Sequence, residues 1–212
     1  LRGKVARAIA RRILDRVDLI TLREEKSLEF VRDLDIKHTP VSVTADAALL
    51  FPPAPLARTK QILAEEGIEQ PSPLITITIT PYIPWQAANY EARMVDYQSV
   101  IASLASHAMK EIGAYILFIP MDVTFESRGA DRASKMRKLA GKALGGGFSF
   151  AKEGELLSGI MAQIEDEARA KILHGSYSPQ EVKAIVALSD VHIATRMHST
   201  IFASTAGVPV LA

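Results

Sequence analysis

The chain has 212 residues, 48% hydrophobic and 23% charged, a balance that supports a buried core of ordinary globular size. A net charge of +1 and only 6% aromatics, with no basic stripe among them, argue against nucleic acid as a partner. Cysteine is absent, which removes disulfide frameworks, thiolate nucleophiles and cysteine zinc sites and suits a reducing cytoplasm, and no apolar run reaches the roughly 20 residues of a membrane span.

Helical and strand patterns alternate from end to end. Residues 4–16 place Val5, Ile9 and Ile13 at i, i+4 spacing with arginines on the other side, predicting an amphipathic helix. These first residues are basic and amphipathic rather than basic and then apolar, unlike a signal peptide. Residues 18–23 predict a short buried strand, 24–34 a helix and 41–46 a second strand. Phe51-Pro52-Pro53-Ala54-Pro55 interrupts regular structure and reads as a linker. A connecting helix follows over 56–67, closed by Gly67.

A second alternating block begins after Pro73. Strands are predicted over 74–80, 114–119, 170–173, 191–194 and 208–211. Helices are predicted over 89–111, 131–144 and 152–167. Ser178-Pro179-Gln180-Glu181 is a capping box with proline at the first helical position, so a helix starts there and runs to about Ser189. Ser199 is read as opening the last helix and Gly207 as closing it. The chain begins at Leu1, already in a helical pattern, and stops within Gly207-Val208-Pro209-Val210-Leu211-Ala212, the start of a buried strand. A piece of a longer protein is therefore expected.

Strand–helix–strand repetition with short connections implies an α/β protein whose parallel sheets are flanked by helices. The proline break predicts two Rossmann-like lobes. Residues 1–51 are the end of the first, only partly present; 52–72 are the linker and connecting helix; 73–212 are the second, cut short at its end.

Ligands of open parallel sheets bind outside the carboxyl ends of the strands. That rule selects Thr195-Arg196-Met197-His198-Ser199-Thr200, between a strand and a helix. A helix N-terminus offers unpaired N–H groups and a partial positive charge to a phosphate or carboxylate. Arg196 adds a bidentate fork. His198 adds a group that moves protons near neutral pH. The plainer alternative is that Ser199 caps the helix while Arg196 and His198 are solvated.

The residues Tyr177-Ser178-Pro179-Gln180-Glu181-Val182-Lys183, Ser189-Asp190, Ile193-Ala194-Thr195-Arg196-Met197-His198-Ser199-Thr200-Ile201-Phe202-Ala203 and Gly207-Val208-Pro209-Val210 resemble the C-terminal signature of polysaccharide pyruvyl transferases. Asp18-Leu19-Ile20-Thr21-Leu22-Arg23-Glu24-Glu25-Lys26-Ser27 and Val43-Thr44-Ala45-Asp46-Ala47-Ala48 are similar to two further segments of that family, in matching order. The family's Gly-rich N-terminal lobe has no counterpart here. The resemblance implies a two-lobed fold of GT-B type. It also implies transfer of a pyruvyl group from phosphoenolpyruvate to two hydroxyls of a polysaccharide or lipid-linked precursor, forming a cyclic ketal. Phosphoenolpyruvate would be a co-substrate, with no cofactor and no metal. Arg196 and His198 would be catalytic, Arg196 clamping the donor and His198 acting as general acid. Arg23 would be a second donor-binding arginine from the other lobe, Ser199 and Thr200 would add donors to the phosphate, and Asp46 matches a family position. Each has a structural alternative: Arg23 pairing with Glu24 or Glu25, and Asp46 serving as a turn or cap residue.

Asp122 and Asp131 follow the strand at 114–119 and are weaker candidates for activating an acceptor hydroxyl. Gly141-Lys142-Ala143 with Gly145-Gly146-Gly147 does not make a Walker loop, because Met136 and Ala143 stand where glycine and Ser/Thr are needed. The five histidines (38, 107, 174, 192 and 198) lack metal-ligand spacing, and His107 and His192 read as structural. Arg2, Lys4, Arg7, Arg11, Arg12 and Arg16 against Asp15 make a basic helix. A packed helix with a solvated basic face explains it, and peripheral contact with the inner face of a membrane is the other reading. Two competing functions remain: a GT-B glycosyltransferase using a nucleotide sugar, and a non-catalytic glycan- or nucleotide-binding module. Oligomeric state is left open.

Overall fold

The computed structural model describes residues 3–68, 73–80, 88–121 and 151–212. The chain divides into two compact units, Leu1–Phe51 and Pro52–Ala212. In the first, α1 (Lys4–Leu14), β1 (Ile20–Leu22), α2 (Lys26–Asp33) and β2 (Val41–Val43) lead to a 3-10 turn over Ala47–Leu50. β1 and β2 are parallel, with Ile20 opposite Val41 and Leu22 opposite Val43. Both strands are shorter than the sequence pattern predicts. Beyond β2 the chain turns at once: the Thr44 hydroxyl bonds the Leu22 and Ala45 carbonyls, and Asp46 caps the 3-10 turn through the Ala48 N–H. Asp15 accepts bonds from the His38 and Lys37 N–H groups, which hold its carboxyl below the usual range and pin the loop before β2 to the end of α1. No residue of α1 is buried.

The second unit contains α3 (Leu56–Glu65), β3 (Leu74–Thr78), α4 (Tyr90–Ile112), β4 (Tyr115–Phe118), α5 (Ala151–Met161), β5 (Ala170–Ile172), α6 (Pro179–Val186), β6 (Val191–Ala194), α7 (Met197–Ala206) and β7 (Val210–Leu211). Its five strands are all parallel in the order β5-β4-β3-β6-β7. The expected α/β class with parallel, helix-flanked sheets is present. The 131–144 helix, the Gly141–Gly147 stretch, Asp122 and Asp131 lie outside the described residues.

β3 is the central strand and is buried at every position. Ile75 and Ile77 face a core built with α4 and α5, including Ile101, Ala105, Leu156 and Ile160. Burying those side chains stabilises the unit by roughly 1.5–3 kcal/mol for each large aliphatic group. α6 contacts both α3 and α7, and α4 packs with α5 in that other core. The capping box of α6 forms as predicted: Ser178 Oγ accepts from the Glu181 N–H and the Glu181 carboxylate accepts from the Ser178 N–H. Glu181 also accepts from Arg58 Nε at 2.8 Å, which ties α6 to α3. Gly113, at φ 68°, ends α4 in the left-handed conformation that glycine adopts most readily.

Several helix boundaries differ from the sequence pattern, among them those of α5 and α7. α5 stops at Met161 rather than near 167: the N–H groups of Gln163 and Ile164 reach back only three residues, and the acidic run at 165–167 enters a 3-10 turn over Glu167–Arg169. α7 begins at Met197 with Arg196 in the N-cap position, two residues before Ser199.

A ladder of polar groups lies beneath β3. Thr76 bonds Ser189 Oγ at 2.9 Å and His192 Nδ1 at 2.7 Å, and Thr78 bonds His192 Nε2 at 3.2 Å and Ser199 Oγ at 2.5 Å. Thr76, Thr78, His192 and Ser199 are all wholly buried. The register explains the meeting, since Thr76 stands opposite His192 and Thr78 opposite Ala194. His192 is structural, as its place within a strand suggests. Burial lowers its pKa from the ordinary 6.5 to about 4.

The unfolded chain therefore takes up a proton near pH 6.5 that the folded chain refuses until about pH 4, so stability falls with pH across that window. The expected loss from His192 is about 3 kcal/mol between pH 7.5 and 4. Urea unfolding followed by circular dichroism at stepped pH measures it. A His192→Gln protein, less stable at pH 7.5, should show a flatter profile, and parallel profiles would contradict the account.

Candidate functional site

The helices that leave β3 and β6, α4 and α7, pack in different helical layers. Because β3 and β6 are neighbours, the strand order reverses between them, and the carboxyl ends of these two strands are where open parallel sheets form their ligand crevice. The rim is tightly bonded. Thr195 N–H donates to the Thr78 carbonyl at 3.0 Å, and Thr80 N–H donates to Thr195 Oγ1 at 2.9 Å. Tyr97 of α4 borders the same rim; burial raises its phenol pKa, and the Thr195 hydroxyl beside it partly offsets the shift.

The start of α7 is held in one orientation. The Arg196 carbonyl accepts from Thr200 N–H at 3.1 Å, Ser199 Oγ at 2.9 Å and Thr200 Oγ1 at 3.1 Å. Met197, His198 and Ser199 are the first three helical residues, whose N–H groups have no carbonyl to meet within the helix. His198 is exposed on this first turn. Ser199 is fully buried, its hydroxyl engaged with Thr78 and the Arg196 carbonyl.

Arg196 is not a solvated loop residue. Its side chain is only 21% exposed and its Nη2 lies 3.3 Å from Glu153 Oε1. Glu153, in the first turn of α5, is 3% exposed and also accepts from the Met121 N–H at 3.2 Å, just past the end of β4. With β3 between β4 and β6, the pair spans the carboxyl end of the central strand, a reach of about 10 Å for two strand spacings.

In the first unit, Arg23 follows β1 and Asp46 follows β2. Arg23 Nη1 and Asp46 Oδ2 are 3.0 Å apart, with the arginine half-exposed and the aspartate mostly covered. Arg23 thus pairs with Asp46 rather than with Glu24 or Glu25, and Asp46 also caps the following turn. The structure brings Arg196, His198, Ser199 and Thr200 together in one unit, and Arg23 with Asp46 in the other. The sequence reading passed over Glu153, Thr78 and Tyr97. Nothing local marks Glu153, which sits in an ordinary helical stretch far from Arg196 in sequence. Among the described residues no group of three or more His, Asp or Glu is placed to hold a metal ion, and no helix is long and apolar enough to cross a membrane.

The family whose sequence pattern the chain matches, over residues 2–212, is described as polysaccharide pyruvyl transferase. The chain belongs to that family. No curated protein matches the sequence. Among solved structures, HepE from Anabaena, in complex with UDP and glucose, is similar at 13% identity and a TM-score of 0.46, over 99% of this chain and 48% of that one. A UDP-forming α,α-trehalose-phosphate synthase from Burkholderia xenovorans is similar at 11% identity and a TM-score of 0.47, over 93% of this chain and 46% of that one. This pyruvyl transferase family member spans about half the length of either structure.

Replacing Glu153 tests the buried pair. Glu153→Gln keeps an acceptor for the Met121 N–H and removes the charge facing Arg196. The expected cost is about 1–3 kcal/mol of stability, read by urea unfolding at pH 7.5. A cost near zero would mean that the pair is not closed in solution.

Proposed function

We propose that the protein carrying this chain transfers a pyruvyl group from phosphoenolpyruvate to two hydroxyls of a polysaccharide or its lipid-linked precursor. Family membership supports the reaction class. The observation that carries the residue assignment is the meeting of Arg196, exposed His198 and the open first turn of α7 at the crevice between β3 and β6. Such a place suits a small oxyanion.

In this reading Arg196 binds the donor's phosphate or carboxylate, and the N–H groups at the start of α7 add further donors. Ser199 and Thr200 act chiefly by fixing the Arg196 carbonyl and so the direction of that turn. His198 gives a proton to the methylene carbon of the enol while an acceptor hydroxyl adds to the neighbouring carbon. The methylene becomes a methyl group and the oxygen–carbon bond of a phosphate-bearing intermediate forms. The second hydroxyl then bonds the same carbon as phosphate leaves, and the remaining hydroxyl protons pass to His198 and to phosphate. General acid catalysis of this kind contributes typically 10²–10⁴-fold. Arg23 is a proposed anion-binding arginine of the first unit, with Asp46 orienting it. The donor is a cytoplasmic metabolite, so the reaction is placed in the cytoplasm, at the inner face of the membrane when the acceptor is lipid-linked.

The expected outcome is phosphate release from phosphoenolpyruvate that depends on a glycan acceptor, measured on the full-length protein. His198→Ala should lower turnover by at least 100-fold while donor affinity stays within about three-fold; Arg196→Ala should weaken donor affinity at least ten-fold, by calorimetry. Turnover of a nucleotide sugar without phosphoenolpyruvate, or full activity in His198→Ala, would overturn the proposal.

A further inference from the structure

A cavity of about 320 Å³ opens at the carboxyl ends of β4 and β5, beside the crevice rather than in it. Two features join it to the Arg196 site. Pro120 lines it and precedes Met121, whose N–H donates to Glu153; Gly154 lines it and follows Glu153. The cavity is therefore lined by the chain neighbours of Glu153 and Met121, while the Glu153 carboxylate itself turns to Arg196.

Its chemistry differs from that of its neighbour. Among the described lining residues there is no Asp, Glu, Lys or Arg. Leu157 and Leu173, each 3% exposed, form an apolar base, and Ser158 and Ser176 bring hydroxyls to it. The far wall is built in advance. Although burial works against it, the bonds from the Tyr177 hydroxyl and the His174 and Gly175 N–H groups hold the Glu66 carboxyl below its usual pKa. That arrangement lays the Tyr177 ring directly on Gly175, where any Cβ would collide with it. The phenol is turned to Glu66, so the ring is what Tyr177 has to offer the cavity. An apolar base, an aromatic wall and a few hydroxyls suit a neutral ligand with alternating C–H and O–H faces.

We propose that this cavity is the subsite for the acceptor: a neutral hexopyranose ring of the glycan, held next to the anionic donor. The proposal rests on the pyruvyl-transfer reading for its partner reaction but not for its ligand. Charge divides the two places: the anion goes to Arg196 and the start of α7, and the uncharged polyol goes to a wall whose described residues include no Asp, Glu, Lys or Arg, with His174 and Tyr177 as its titratable groups. A monosaccharide of roughly a dozen heavy atoms fits a volume of about 320 Å³.

Gly154 supplies the test. It lies in α5 at an ordinary helical φ, and a Cβ there meets nothing within 4 Å, so Gly154→Leu fills the cavity without disturbing the helix. Saturation-transfer NMR with methyl gluco-, galacto- and mannopyranosides is run on the full-length wild-type and Gly154→Leu proteins, alongside steady-state kinetics. At least one glycoside should bind the wild type, with its signal reduced at least five-fold in the variant; the acceptor KM should rise ten-fold or more, and the donor KM should stay within two-fold. Gly154→Ala, a much smaller intrusion, should fall between them. An unchanged acceptor KM in folded Gly154→Leu overturns the subsite while leaving pyruvyl transfer standing. No glycoside binding, or displacement by uridine but by no glycoside, overturns it as well. Glycoside binding lost in the variant, from a protein inert toward phosphoenolpyruvate, upholds the subsite and sinks the transfer reading.

Discussion

The bond between Thr78 and Ser199 is the constraint on which the rest of the second unit's crevice depends. β3 is buried on both faces, so a hydroxyl on its inner face must find a partner or cost roughly 1–3 kcal/mol. Thr78 finds two, His192 from the adjacent strand and Ser199 from the helix that follows it. The second of these ties the first turn of α7 to the end of the central strand. Ser199 then returns a bond to the Arg196 carbonyl, so the peptide that precedes the helix is locked as well. The direction of the helix N-terminus, and with it the starting point of the Arg196 side chain, follows from a bond buried in the interior.

Both arginines singled out for anion binding rest against a carboxylate: Arg196 against Glu153 and Arg23 against Asp46. The two pairs are not equivalent. Glu153 is nearly inaccessible, and a carboxylate there stays charged only if it is compensated, so Arg196 has a part in folding whatever it binds. Arg23 is half-exposed and its pair is worth little to stability. A guanidinium has five donors in a fixed fork, a geometry suited to carboxylates and phosphates. Pairing at rest aims the arginine and lowers the ordering cost of binding.

What could be read in advance tracks how local each determinant is. The capping box that starts α6 is complete within four residues, and it forms as written. The run of β-branched residues in β3 is equally self-contained, and only a central strand accommodates it. Ser199 misled because its sequence context is that of an N-cap, whereas its hydroxyl is used sideways, toward a strand far back in the chain. Had it capped the helix, it would have faced the helix's own N–H groups; the register of β6 against β3 places Thr78 within its reach instead. Glu153 was illegible for a stronger reason. An acidic residue in the first turn of a helix is what the helix dipole favours anywhere, so the signal carries no information about a partner. Its role exists only once the strand order sets β4, β3 and β6 side by side.

The same topology explains why an anion and a neutral ring would be sorted to adjacent places. Where the strand order reverses, helices diverge to opposite faces and the N-terminus of α7 is left facing the gap, a concentration of positive potential with Arg196 beside it. One strand further along, past β4, the order no longer reverses. The loops there close over apolar side chains, and Glu66 is occupied with three hydrogen bonds of its own. Glu153 stands on the border and balances the arginine on its crevice side. A second charge on the cavity side would disturb that balance across a poorly solvated wall, where screening is weak. The described lining of the second cavity holds no Asp, Glu, Lys or Arg, which leaves it suited to ligands that bring hydroxyls instead of charge.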